Sequence, residues 1–590
     1  MRAAERRPVK LLPRPTGTLT TDTGPRRPKP MWKTLIQRIP KWPDGQFDRS
    51  PPIVLQPYTT APDYGWRRYA GWLLMAALMF FCLVYGFYYA LTTPFLLTQF
   101  MAPLALLAGI TIWALPDMKT APTRTLEILF FAFFVMAIIW PNYLAIALPG
   151  LPWITSVRLV GFPLVFVLAV SVSVSAEFRA RTWASLTAIP RLWVFIAGFV
   201  GVQFLSIGLS DKPFESLNAV VSLQISWTAI FFAACYAFLR PGSVQTWAII
   251  LWSCAILVCL IGLWEQRLGR VPWAGHIPGF LAVGDEFVQR ILAGARRLGS
   301  GKYRVQSVQS TSLGLAEFLA LTTPFIIHFM AGRFSLWIKV AAGASLPLIL
   351  YTILATDARL GAVGFFMSVL LYLLIWSFIQ WRHVKGSLLG PAVFLAYPVI
   401  FCAFMAATFA IQRLRLIVWG GGSTTYSNQA RIDQLHSGIP KILNRPVGYG
   451  AGQGADELGY VNLAGTMTID NYYLLIALEY GILGFILYYG AIALVIYHAA
   501  KHSLLREPES REHTFLIPVA ISLSVFFIIK SIFSQMGNHT LQFMMIGMAA
   551  ALIFRMKHGD AAGLPPSRSY MPPERQSIVQ PTSLSMPRAK

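Results

Sequence analysis

The 590 residues are 55% hydrophobic and only 13% charged, with 40 Phe and 18 Trp, and the mean hydropathy is +0.56. That balance is far too apolar for a soluble core, and repeated apolar runs of about 20 residues, each able to cross roughly 30 Å of hydrocarbon as a helix, identify a polytopic all-α membrane protein. The formal charge of +24 invites comparison with nucleic-acid binders. Here, however, the basic residues gather in tails and loops between apolar runs, and no nucleic-acid partner is expected.

Residues 1–68 carry fourteen Lys and Arg against five Asp and Glu, are rich in proline and contain no run of spanning length. They read as a disordered basic tail, and a cleavable signal peptide is not expected, because the first spanning run begins only near Gly71. About fourteen spans follow, with twelve or thirteen as the alternative if short runs do not cross: 71–91, 94–115, 126–140, 159–175, 192–209, 217–239, 244–264, 313–330, 334–355, 360–381, 388–411, 472–497, 514–533 and 540–554. They define a membrane domain over 69–558. The Pro- and Ser-rich stretch 559–590 reads as a second disordered tail.

Short loops rich in Lys and Arg stay cytoplasmic. Placing the N-terminal tail inside puts Arg179/Arg181/Arg191, Arg240, Arg333, Lys501/Arg506/Arg511 and Arg555/Lys557 inside as well. Both termini are then cytoplasmic, and two long loops, 265–312 and 412–471, lie outside. These two carry basic residues against the rule, Arg304 and Arg431 among them, which suggests an anionic ligand on the outer face. Long loops also translocate largely regardless of charge, so the alternative stays open. Cys82, Cys235, Cys254, Cys259 and Cys402 all fall in apolar runs and read as small hydrophobes. No HExxH helix or DxD pair is present, and no metal or other cofactor is expected.

Three segments carry candidate chemistry. TDARLGAVGFF places Arg359, with Asp357 close by, at the outer mouth of two apolar spans, where an ionisable residue is costly. In SNQARIDQLHSGIPKILNRPVGYGAGQG, Ile432, Leu435, Ile439 and Ile442 recur at helical spacing and predict an amphipathic segment on the membrane mouth, interrupted by Pro440. Arg431 and His436 lie off that stripe, and the glycines beyond it predict a tight turn. GAGQGA at 450–455 fits a dinucleotide fingerprint in form only, since no strand precedes it. In TIDNYYLLIALEYGILGFILYYG, Asp470 and Asn471 stand at the entrance of a span, and Glu479 lies about two turns below. Asp470 is also well suited to cap that helix.

In order and spacing, these segments resemble the O-antigen ligase and Wzy-type polysaccharide polymerase family over about residues 300 to 500. The resemblance implies a membrane glycosyltransferase of the bacterial inner membrane whose donor is a glycan linked through pyrophosphate to undecaprenol, with other polysaccharide-export proteins as candidate partners. Two family arginines map onto Arg359 and Arg431, which hold and stabilise the pyrophosphate. The family's catalytic histidine falls on Asp470, a departure that makes a carboxylate the candidate base, with His436 as substitute. Arg304, His436, Asn471 and Glu479 are the candidate substrate-binding residues, and Glu479 is also placed to orient Arg359 or to close helix packing. The leading function is a polymerase joining lipid-linked repeat units; the alternatives are a ligase to lipid A core and a lipid-linked oligosaccharide flippase. Transporters show internal repeats and paired broken helices, and neither is visible in the sequence.

Overall fold

The computed structural model describes residues 107–560 apart from 118–119, 148–152, 297–300, 384–385, 420–424, 462–464, 466 and 507, with isolated positions between 69 and 104. The chain divides into Met1–Thr93 and Pro94–Lys590, and nearly everything below concerns the second unit. The tails at 1–68 and 561–590 and most of the expected spans 71–91 and 94–115 lie outside the described residues.

The architecture is all-α. In chain order the helices are α1 (Thr123–Ile139), α2 (Ser156–Val174), α3 (Ala176–Thr187), α4 (Leu192–Leu209), α5 (Pro213–Ala237), α6 (Ser243–Leu268), α7 (Glu286–Ala293), α8 (Ser312–Ala331), α9 (Leu336–Ala355), α10 (Arg359–His383), α11 (Leu389–Ala410), α12 (Gln412–Val418), α13 (Thr425–Asn444), α14 (Gly454–Leu458), α15 (Tyr472–Leu505), α16 (Leu516–Ile529) and α17 (His539–His558). Two short hairpins, Ala145–Ile146 with Ile154–Thr155 and Ala295–Arg296 with Tyr303–Arg304, are the only sheets among the described residues. Eleven of the described helices are long and apolar enough to cross a membrane, and each coincides with an expected span. α1, at 17 residues, is a shorter apolar helix in the place of the expected run 126–140.

Burial sorts the spans into layers. α8 and α17 are 89% buried over their apolar windows, whereas α11 is only 6% buried. α8 packs against α9, α10 and α16, and α15 against α4 and α16. The outer helices leave large apolar side chains exposed, such as Trp337 and Leu388, as expected where the surrounding solvent is lipid. Cys235, Cys254 and Cys259 are buried, in line with their reading as core hydrophobes, but Cys402 is exposed on the sparsely packed α11.

Polar side chains lock the two ends of this bundle. At one end Arg555 pairs with Glu512 at 2.8 Å and Asp560 at 2.7 Å. The Glu512 carboxylate also accepts from Gly242 N and Gln245 N, satisfying amides at the start of α6 that no helical carbonyl reaches. At the other end Glu265, fully buried near the end of α6, accepts from the Tyr303 hydroxyl at 2.6 Å and from the amides of Gln306 and Ser307. This straps the 265–312 loop to the bundle.

Two features differ from the sequence reading. α13 runs through Pro440 to Asn444 without interruption. Its buried positions are Gln434 and Gly438, whereas Ile432 and Ile439 are about half exposed. The reason is close approach: a Cβ on Gly438 would lie 2.7 Å from Leu474 Cδ1 of α15. Second, α15 is a broken helix. Gly481 sits at φ 67°, ψ −173° inside it, and the segment 446–450 fills the break, with Tyr449 N donating to Leu478 O (2.8 Å), Gly450 N to Glu479 O (3.0 Å) and Ile482 N to Pro446 O (2.9 Å). Carbonyls orphaned by the kink thus regain donors, as backbone at membrane depth must. At these dihedrals only glycine is comfortable, and a Cβ at 481 would lie 2.1 Å from Pro446 O. Gly481→Ala is therefore expected to destabilise the protein by at least about 1–3 kcal/mol from backbone strain alone. Its thermal unfolding midpoint in detergent should fall clearly below that of Ile482→Ala.

Candidate active site

The site is assembled at the end of the bundle where α10 and α15 begin. α9 stops at Ala355, and the turn Thr356–Asp357–Ala358 reverses the chain. Asp357 takes a left-handed φ of 55°, and the Thr356 hydroxyl accepts Ala358 N at 3.2 Å. The second hairpin docks on this turn: Arg304 Nε donates to Thr356 O at 3.0 Å, Val305 N to Ala355 O at 3.3 Å, and Lys302 Nζ lies 3.8 Å from Asp357. Arg359 is therefore presented at the first residue of α10 by a turn that is itself gripped from the loop.

α13 brings the second arginine. Asn428 Oδ1 accepts from Arg359 Nη2 at 3.2 Å and from Arg431 Nη1 at 3.3 Å, so one neutral amide oxygen joins two guanidinium groups whose charges repel. Arg431 Nε is buried without a hydrogen bond and lies 4.0 Å from Asp470 Oδ2. Burial pushes the Asp470 carboxyl above the usual aspartate range, and Arg431 pulls it partly back. Burial likewise lowers the Arg431 guanidinium while Asp470 opposes that; an arginine remains protonated in any case. Gln434 Oε1 accepts Asp470 N at 2.9 Å, fixing the carboxylate's backbone beside α13.

The helix cap falls one residue later than the alternative reading of Asp470 placed it. Asn471 Oδ1 accepts Tyr473 N at 2.9 Å and Leu474 N at 3.3 Å, so Asn471 caps α15 and the Asp470 side chain is left for other work. Glu479 is buried against the glycine turn, where a Cβ on Gly454 would lie 3.4 Å from its Oε1. Its backbone carbonyl holds the kink-filling segment through Gly450 N. His436 is exposed on α13 and is not part of the contact set that joins Arg359, Asn428, Arg431 and Asp470.

Several participants escaped the sequence reading. Asn428 sits one turn before Arg431 in the quoted segment, but nothing in the linear chain shows that Arg359 returns to it. Glu317 and Lys530, fully buried and 2.8 Å apart beneath the site, were detectable in principle as lone charges in or at the end of apolar runs.

These features define a polytopic all-α membrane protein with paired guanidinium groups and a carboxylate at the mouths of its spans. The family described as O-antigen ligase matches residues 344–489, a stretch running from within α9 to within α15 that contains Arg359, Asn428, Arg431, Asp470, Asn471, Glu479 and the glycine turn. The chain thus carries, within a multi-pass membrane frame, a stretch that matches the O-antigen ligase family model. No curated protein matches the chain significantly.

The cap assignment is directly testable. Asn471→Ala should cost about 1 kcal/mol of stability through the lost cap, whereas Asp470→Ala should not show that loss. Unfolding midpoints of the two purified variants would separate them.

Proposed function

We propose that the protein is a metal-independent glycosyltransferase, a polymerase that joins undecaprenyl-pyrophosphate-linked repeat units into an exported polysaccharide at the periplasmic face of the inner membrane. The observation that carries this reading is the convergence of Arg359 and Arg431 on Asn428 with Asp470 on the far side of Arg431. Each guanidinium presents a fork of donors, and a pyrophosphate offers oxygens for both.

In the proposed reaction a hydroxyl of the acceptor sugar attacks the anomeric carbon of the donor glycan. The new C–O bond forms as the bond from that carbon to the pyrophosphate oxygen breaks, and undecaprenyl pyrophosphate departs with the electron pair. Arg359 and Arg431 stabilise the charge that grows on the leaving group. Asp470 takes the hydroxyl proton, a role for which its burial suits it, since a raised carboxyl pKa makes a stronger base. Arg304 and Lys302 add positive charge behind the Thr356 turn.

The family description, O-antigen ligase, favours a second reading in which finished glycan is moved to a lipid A core. Deleting the gene and sizing the surface and secreted polysaccharide distinguishes the two: shortened or absent polymer supports polymerisation, whereas intact polymer missing from lipid A core supports ligation.

Arg359→Ala and Arg431→Ala should each abolish transfer at normal membrane abundance, and Lys at either position should rescue poorly because a point charge lacks the two-donor fork. Transfer should persist in excess chelator. Asp470→Asn should lower the rate by about a hundredfold to ten-thousandfold, as loss of a general base does. Because the base works ionised and its pKa is raised, activity should fall on the acid side at a pH above the ordinary aspartate range, and Asp470→His should move that limb higher; wild-type rates for Asp470→Asn would remove the base assignment. The orientation is checked by alkaline-phosphatase fusions, expected active near Gly454 and inactive near Lys501.

A further inference from the structure

A cavity whose lining includes none of Arg359, Arg431 and Asp470 opens among the spans. It is a cleft of about 620 Å³ between the first hairpin, the start of α2, the first half of α5 and the start of α17. Three positions on its wall come from a π turn, Gln224–Thr228, inside α5, a distortion that recurs at functional sites. The wall is built for hydroxyl groups. Asn142 and Asn218 line it with exposed side-chain amides that have no hydrogen-bond partner among the described residues. Ser222 and Trp153, the latter 36% exposed, line it as well. Arg158 is the one charged lining residue. It is held in place by Nη1 on Trp153 O at 2.8 Å and Nη2 on Ser222 Oγ at 3.3 Å.

This combination of amides, hydroxyls and an exposed indole, with a single guanidinium and no carboxylate, matches a sugar ring, which offers hydroxyls at its rim and an apolar face to an aromatic. A phospholipid phosphate would call for more positive charge than one arginine already bound to a carbonyl. The cleft is also wired to the reaction site. Its floor residue Trp227 stacks on His539 (centroids 4.9 Å, 15°), and His539 lies against Tyr472 (4.5 Å), the first residue of α15, two after Asp470.

We propose that this cleft is a saccharide-binding subsite that holds glycan at a distance from the Arg359–Arg431–Asp470 centre, with Trp153, Asn142 and Asn218 as its contacts. The inference rests on the glycosyltransferase reading for its biological role, but binding is measurable without catalysis. The test uses the purified full chain in nanodiscs, titrated calorimetrically with oligosaccharides made by partial hydrolysis of the host strain's own surface polysaccharide. Trp153→Ala and Asn218→Leu should each weaken binding roughly tenfold, the size of one lost ring contact or one lost hydrogen bond with its desolvation. Arg431→Ala, inactive in transfer, should bind these oligosaccharides as wild type does. In cells the two cleft variants should make shorter glycan while still transferring. Affinity unchanged in both cleft variants would overturn the proposal. So would loss of co-purifying phosphatidylglycerol, scored by mass spectrometry, without loss of oligosaccharide affinity, since that result would make the cleft a headgroup site. If Arg431→Ala instead leaves glycan synthesis intact while the cleft variants lose binding, the glycosyltransferase reading fails and the saccharide site stands.

Discussion

The ion pair between Lys530 and Glu317 is the constraint on which the reaction site depends. Both side chains are fully buried, 2.8 Å apart, at the junction of α16 with α8. Charges so deeply removed from water are tolerable only as a satisfied pair, and removing one partner typically costs about 3–5 kcal/mol. Lys530 does more than pair. Its carbonyl accepts Tyr472 N at 3.1 Å, its ammonium lies 5.1 Å from the centre of the Tyr472 ring and also donates to Gln535 O. The start of α15, and with it Asp470 and Asn471, is therefore fixed to α8, one of the two most buried spans. Asn538, donating to Gly314 O at 2.9 Å, ties the start of α17 to the same helix.

On that support the site is made by loops whose backbones are satisfied by the spans. The 265–312 loop is strapped by Glu265 and grips the Thr356 turn through Arg304. The 412–471 loop lays α13 across α15 at Gly438 and then threads residues 446–450 into the kink at Gly481. Each loop thereby positions one arginine, and Asn428 joins the two. A site held by main-chain hydrogen bonds at its edges and by a buried ion pair beneath has little freedom to spread, which suits a task of holding charge in place rather than creating it.

The broken helix and the family match bear on different questions. Breaks in membrane helices are a feature of transporters, yet here the kink is filled by the chain's own glycine turn, and Glu479 stands against that turn. The break serves to seat the loop. The matched stretch, 344–489, ends just beyond it.

What the linear chain determined by itself was the solvent and the element list. Apolar runs of spanning length leave the backbone no alternative to helix in lipid, so eleven expected spans reappear with ends shifted by a few residues. Arg359 was legible because an ionisable group at a helix mouth is expensive and stands out, Asp470 and Asn471 by their place at the entrance of a span, and Arg431 through the family resemblance. Which of them touch was decided only by tertiary structure. Asn428 lies 69 residues from Arg359 along the chain, Asn471 rather than Asp470 takes the cap, and Glu479 faces a glycine turn instead of Arg359. The interruption expected at Pro440 was likewise overruled, since α13 runs on through it to Asn444. Periodicity records the environment each residue prefers, but contacts between distant segments follow from which close approaches and hydrogen bonds can be satisfied together, and that is a property of the packed chain alone.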